Sequence, residues 1–271
     1  MTVILVPISF SDVSQKALRQ AIRVGKKDSQ TRILLFHGLT SASSIEEVES
    51  KLVDLEKQYA HPNLQFERRI LSDFSPIKVT QLAKKEKVDL VVMGTEGKNR
   101  LRGFWQNSYT AKVEELLTCP LMVVPKNAPE HEIQRMAYAL SFVKSDLREI
   151  DRILRFAHLF DAHLECLRLV DTTQKEDESL LAVLKDAYDL PKYQDKISFK
   201  SLKSRNIARS IENYVQEHQI DMTVLLTQQR NFWEKNFGNS LTQKLTLHAK
   251  IPLLVLNKDQ NTPSSVNSIS D

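Results

Sequence analysis

Short apolar runs and longer amphipathic stretches alternate along the chain. Residues 3–6 (Val3-Ile4-Leu5-Val6) form an unbroken apolar run, and over 12–27 the apolar positions Leu18, Ala21, Ile22 and Val24 return at helical spacing. The same reading predicts strands at 33–36, 64–70, 90–93 and 121–124, with helices at 45–59, 76–85 and 108–117 between them. The order is βαβαβαβαβ. Strands that are apolar throughout, instead of alternating, are buried on both faces, so the pattern predicts a parallel sheet with helices on each side.

The second half of the chain repeats the first. A shift of 132 residues lays Ser9-Phe10 on Ser141-Phe142, Asp89 on Asp221, Val92 on Val224 and Thr95 on Thr227. It also lays Asn107-Ser108 on Asn239-Ser240, Lys112 on Lys244 and Pro120 on Pro252. One offset serving both ends of a unit is the mark of a duplicated domain. The predicted organisation is a first domain over 1–126, a linker over 127–134, a second domain over 135–257 and a tail over 258–271. The linker is where Pro and polar residues interrupt the pattern, and the tail has too few apolar residues to order itself.

Composition narrows the class. At 271 residues with 41% hydrophobic and 27% charged positions, the chain can bury two ordinary cores. The net charge of +4 comes from 38 basic and 34 acidic residues with no concentrated basic stripe, which argues against a nucleic-acid partner. No run reaches the ~18 apolar residues of a membrane span, and the apolar start is too short and lacks the basic residues of a signal peptide. Cys119 and Cys166 sit beside or inside predicted core strands. They are expected to be buried free thiols, and the expected location is the cytoplasm.

A duplicated α/β unit with Gly-x-x-Gly after its fourth strand resembles the universal stress protein family in tandem form. The resemblance rests on ILVPISFS (4–11), LLFH (34–37), VDLVVMGTEG (88–97), NSYTAKVEELL (107–117) and CPLMVVP (119–125). It implies two flavodoxin-like domains of the adenine nucleotide alpha hydrolase type, each a five-stranded parallel sheet with helices on both faces. It also implies that the last strands of the two domains, which hold Val123 and Val255, pair across an internal pseudo-dimer axis and bury both residues.

Nucleotide-binding members of that family carry Gly-x2-Gly-x9-Gly-Ser/Thr, with an Asp at the end of the first strand that contacts the nucleoside. In this chain Gly94 and Gly97 are followed by nine residues, and then Asn107-Ser108 replaces Gly-Ser. Glycines let backbone N–H groups approach phosphate oxygens, and the next helix offers its free N–H groups. Asn107 tolerates the left-handed backbone better than most residues, and Asn and Ser are also good helix caps. Ser9 stands where the family has its carboxylate. The candidate site for ATP or a related nucleotide is therefore Ser9, Gly94, Gly97, Asn107 and Ser108. In the second copy the glycine positions are Leu226 and Gln229, and the first-strand position is Ser141, so that copy departs further.

Phe104-Trp105 and Phe232-Trp233 lie where their rings either cover their own domain or stack on a base. Lys98, Arg100 and Arg102 either draw phosphates in or merely aid solubility. No Gly-x-Ser-x-Gly or Walker-type ending occurs, and His158 and His163 have the wrong spacing for one helix face, so neither a catalytic residue nor a metal is expected. The expected function is binding and regulation in a stress response, through protein partners and with further homodimerisation open, nucleotide binding being weak or lost. The competing expectation is an ATP-binding sensor with slow hydrolysis at the first-domain site.

Overall fold

The computed structural model describes residues 1–41, 44–95, 109–140, 146–170, 179–203, 207–226 and 250–256. The first half runs β1 (Thr2–Pro7), α1 (Asp12–Lys27), β2 (Thr31–Gly38), α2 (Ile45–Gln58), β3 (Leu64–Leu71), α3 (Pro76–Lys85), β4 (Leu90–Thr95), α4 (Tyr109–Leu116) and β5 (Leu121–Pro125). The second runs β6 (Arg135–Leu140), α5 (Asp146–Phe160), β7 (His163–Val170), α6 (Ser179–Tyr188), a 3-10 turn (Pro191–Tyr193), β8 (Ile197–Lys203), α7 (Ile207–Glu217), β9 (Met222–Leu226) and β10 (Leu253–Leu256). The proposed tail lies outside the described residues.

All ten strands join one sheet in the order β3-β2-β1-β4-β5-β10-β9-β6-β7-β8. Within each half the neighbours are parallel. The halves meet where β5 and β10 pair antiparallel, Val123 opposite Leu253 and Val255 opposite Leu121. The expected internal contact is therefore present, and it fuses two five-stranded sheets into one. Val123 and Val255 are both buried there.

Side chains alternate between the two faces. Ile4, Val6, Leu90, Val92, Met122 and Leu254 point to the face covered by α1, α2, α5 and α6. Leu5, Val91, Met93, Leu121, Val123 and Val255 point to the face where α3, α4 and α7 pack. Both faces are dry, which is why these strands read as unbroken apolar runs.

The 132-residue repeat reappears as repeated chemistry. Asp89 accepts the backbone N–H of Val3 at 2.8 Å, and Asp221 accepts those of Gln134 and Arg135 at 2.8 and 2.9 Å. Each carboxylate ties the start of one strand to the start of its neighbour. Lys87 and Gln219, also 132 apart, both take positive φ (50° and 51°) just past α3 and α7. Positive φ is uncommon outside glycine, so its recurrence supports descent from one unit.

The linker lies along α1. Glu130 takes a two-pronged contact from Arg19 (2.6 and 2.8 Å), and Lys27 reaches both Glu132 (3.0 Å) and the Phe160 carbonyl (2.6 Å). These partly exposed pairs contribute little stability individually, about 1 kcal/mol or less. Their effect is to fix the path between the halves.

The halves differ at a buried carboxylate in β7. By register Glu165 in β7 takes the place of Leu34 in β2, since Ala137 and Leu5 are their respective partners. Glu165 is 1% exposed and is held by Tyr214, by Arg135 and by Lys200, the last at 3.1 Å. Burial opposes its ionisation, but hydrogen bonds from Tyr214, Arg135 and Lys200 prevail and hold the pKa at about 2. A depressed carboxylate stabilises the fold fully above its ordinary value of 4.5, and that contribution is lost as pH falls towards 2. We expect about 3 kcal/mol of acid-labile stability from this group. Urea unfolding between pH 5 and 2 should show a shallower pH slope in Glu165→Gln than in the native protein. Identical slopes would remove Glu165 from the account.

Candidate functional site

The strand order places a switch point in the first half, where β1 leads to β2 on one side and neighbours β4 on the other. Crevices at the carboxyl ends of strands at such points are where open α/β sheets bind ligands. The structure brings Ser9 and Gly94 to this end, Ser9 in the turn after β1 and Gly94 within β4. Gly97, Asn107 and Ser108 lie outside the described residues, as do Phe104-Trp105, Phe232-Trp233 and the basic loop positions.

The turn after β1 is tightly specified. His37, at the end of β2, is buried and donates from Nδ1 to the Ile8 carbonyl at 2.7 Å. Phe10 adopts φ 62° and packs against His37, with ring centroids 4.9 Å apart. Gln15 Nε2 donates to the Phe10 carbonyl at 3.2 Å, and Ser11 caps α1 by accepting from Ser14 N–H. Ser9 itself is exposed, and its Oγ lies 3.0 Å from Ser11 Oγ. The position where the resemblance implies a carboxylate thus holds a hydroxyl engaged with the cap of α1.

Gly94 has a reason for lacking a side chain that involves no ligand. A Cβ there would come within 2.4 Å of Val13 Cγ1 and 2.4 Å of the Val13 carbonyl oxygen. The first turn of α1 therefore crosses directly over β4, and only glycine allows that approach. In the second half Leu226 stands at this position and is buried in the core. A helix cannot come as close to leucine, so the two halves pack differently at this point.

Gly38 plays a similar part beside the crevice. A Cβ there would meet the Asp73 and Phe74 backbone at 2.3–2.4 Å. The segment after β3 thus folds over the end of β2. It carries Phe74, whose ring lies 5.4 Å from Phe36 and 4.9 Å from Tyr109. Burial, and then the Asp73 carboxylate, raise the pKa of the Tyr109 phenol, and its hydroxyl is buried with no hydrogen-bond partner among the described residues.

His37, Phe10 and Tyr109 were not among the site residues expected from sequence. The only local signal for His37 is a polar residue closing an apolar strand. Tyr109 offers none, because its role depends on Phe74 from another loop.

Both cysteines are free, Cys166 being buried, and burial pushes the Cys119 thiol up to about 11. Among the described residues no group of three or more His, Cys, Asp or Glu could hold a metal, and no helix is long and apolar enough to cross a membrane.

These features define a tandem α/β protein whose two parallel half-sheets are joined into one. The model of the universal stress protein family matches residues 1–125 and again 132–257, and the chain belongs to that family. A universal stress protein of Methanocaldococcus jannaschii is 28% identical over 142 residues, covering 47% of this chain and 84% of the relative. The crystal structure of a universal stress protein from Archaeoglobus fulgidus has a TM-score of 0.71 at 13% identity, covering 96% of this chain and 97% of that one. A protein of unknown function from Pseudomonas aeruginosa gives 0.61 at 14% identity, over 95% and 92% of the two chains. At such identities the structural likeness concerns the fold, here across both domains.

Proposed function

We propose that this protein acts by binding and regulation in a stress response, without turnover, and that its first-half crevice keeps the shape of a nucleotide site whose affinity is weak or lost. The observation that best supports this is Ser9, a neutral hydroxyl 3.0 Å from Ser11 where a carboxylate would grip a nucleoside. Replacing a charge-assisted bond by a neutral one costs about 1 kcal/mol, several-fold in affinity. Gly94, the second motif residue in view, is explained by Val13 alone. With chemistry reduced and shape kept, the remaining role is presentation of a surface to protein partners, a second copy of the chain among them.

Calorimetric titration with ATP tests this on the native protein and on Ser9→Asp/Asn107→Gly. Glycine at a cap position costs only a few tenths of a kcal/mol relative to asparagine, so the double variant should fold. We expect no saturable heat at millimolar ATP from either protein, and no co-purified nucleotide. Binding that appears only in the double variant would mark a weakened cradle instead of a remnant.

One observation favours the second reading, an ATP-binding sensor. The buried Tyr109 hydroxyl, at the start of α4, has no hydrogen-bond partner among the described residues. A bound ligand would satisfy it. If the native protein binds ATP and Tyr109→Phe weakens that binding while leaving stability unchanged, the sensor reading replaces ours.

A further inference from the structure

A cavity of about 830 Å³ opens between the two halves, at the amino ends of the first half's strands and so away from the nucleotide crevice. Thr2, Asp28 and Asp89 form its first-half wall. Its floor is mainly apolar and includes Leu154 and Ala157 of α5, with Ala162 just beyond. Arg155, His158 and Lys196 complete the second-half side. The volume falls within the range of pockets that hold small organic ligands.

The charged groups on its walls are not equivalent. Asp28 accepts the Thr2 hydroxyl at 2.5 Å, Asp89 accepts the Val3 N–H at 2.8 Å, and Asp151 accepts the Tyr188 hydroxyl at 2.9 Å. Each carboxylate is already engaged by the fold. Arg155 and His158, by contrast, make no side-chain hydrogen bond or ion pair among the described residues. Lys196 reaches only Asp161, at 3.5 Å, and both side chains are at least half exposed. The groove's side chains that the fold holds least are therefore Arg155, His158 and the loosely paired Lys196, beside an apolar floor. Asp28 and Asp89 on the facing wall repel an anion, and with Asp151 of α5 engaged by Tyr188, Arg155 is the α5 charge that draws it.

We propose that this inter-domain groove binds a small amphipathic anion. Its apolar body lies along Leu154, Ala157 and Ala162, and its acidic head meets Arg155 and Lys196. Both halves are needed, which gives the tandem chain a site that neither half holds alone. A ligand seated there ties α5 to the base of the first half and so stabilises the joined pair.

The probe is 8-anilinonaphthalene-1-sulfonate, an aromatic body with one sulfonate, titrated by fluorescence into the full folded chain. We expect saturable 1:1 binding that decanoate displaces and ATP does not. Arg155→Glu/Lys196→Glu should weaken binding by about tenfold or more. Both side chains are exposed, so the variant should keep the native thermal transition. Leu154→Gln, which leaves both cations in place, should also weaken binding by removing part of the floor. Absence of saturable binding, displacement by ATP, or unchanged affinity in the charge-reversed variant each overturns the proposal.

Discussion

Val123→Lys is expected to lower the thermal transition by on the order of 10 °C and to expand the molecule in solution. Val123 sits in the middle of the seam, opposite Leu253 on β10 and Met93 on β4, and is 2% exposed. Its neighbours on that face are Leu121, Leu253, Val255 and Leu225, all buried and apolar. Lysine there either buries an unpaired ammonium or loses its proton, and either costs several kcal/mol. The cost falls on the one strand pair that joins the two halves. Away from that pair the halves also meet where α1 packs on α5 in a shared apolar cluster, and through Lys27 to Phe160 and Glu132 and Arg19 to the linker's Glu130. The halves should therefore separate before either core melts, giving a larger radius by small-angle scattering and a broadened two-step transition. Val123→Ala is the control, losing packing without adding charge, and should cost about 1–2 kcal/mol with no expansion. A Val123→Lys protein with native compactness and one native-like transition would show that the seam does not hold the pair together.

Much of this fold was legible in the sequence because its physics is local or periodic. Unbroken apolar runs marked strands buried on both faces. A single offset of 132 exposed the duplication, and Asp89 and Asp221 proved to be the same staple in two copies. What stayed hidden depends on elements far apart in the chain. In HLECLRLV a carboxylate interrupts a core strand, but nothing nearby announces that Arg135, Lys200 and Tyr214 converge on it from three other elements. The candidate site was legible only as a motif. Sequence placed Ser9 and Gly94 near one another, whereas the His37–Ile8 bond, the stack of Phe74 on Tyr109 and the inter-domain groove all require the chain to be folded first.

The same limit applies to Gly94, where motif and packing predict different experiments. Gly94→Ala is expected to destabilise the protein by about 3 kcal/mol, on the order of 8 °C in transition temperature, with no nucleotide present. The backbone there does not use the left-handed region, so space and not torsional freedom is at issue. A methyl group would lie 2.4 Å from the Val13 carbonyl oxygen and 2.8 Å from its carbonyl carbon, atoms of the α1 backbone that no rotamer change can move. The helix must lift from β4, and with it go the Ser11 cap and the turn that holds Phe10 against His37. Val13→Ala removes the Cγ1 contact, also 2.4 Å, but leaves the backbone ones, so the double variant should recover only part of the loss. At Leu226, where the second half already accommodates a large side chain, Leu226→Ala should behave as an ordinary core truncation of about 2–5 kcal/mol. Thermal unfolding of Gly94→Ala, alone and with Val13→Ala, decides the matter. If Gly94 serves only to admit phosphate, the single variant will unfold at the native temperature and differ solely in its response to ATP.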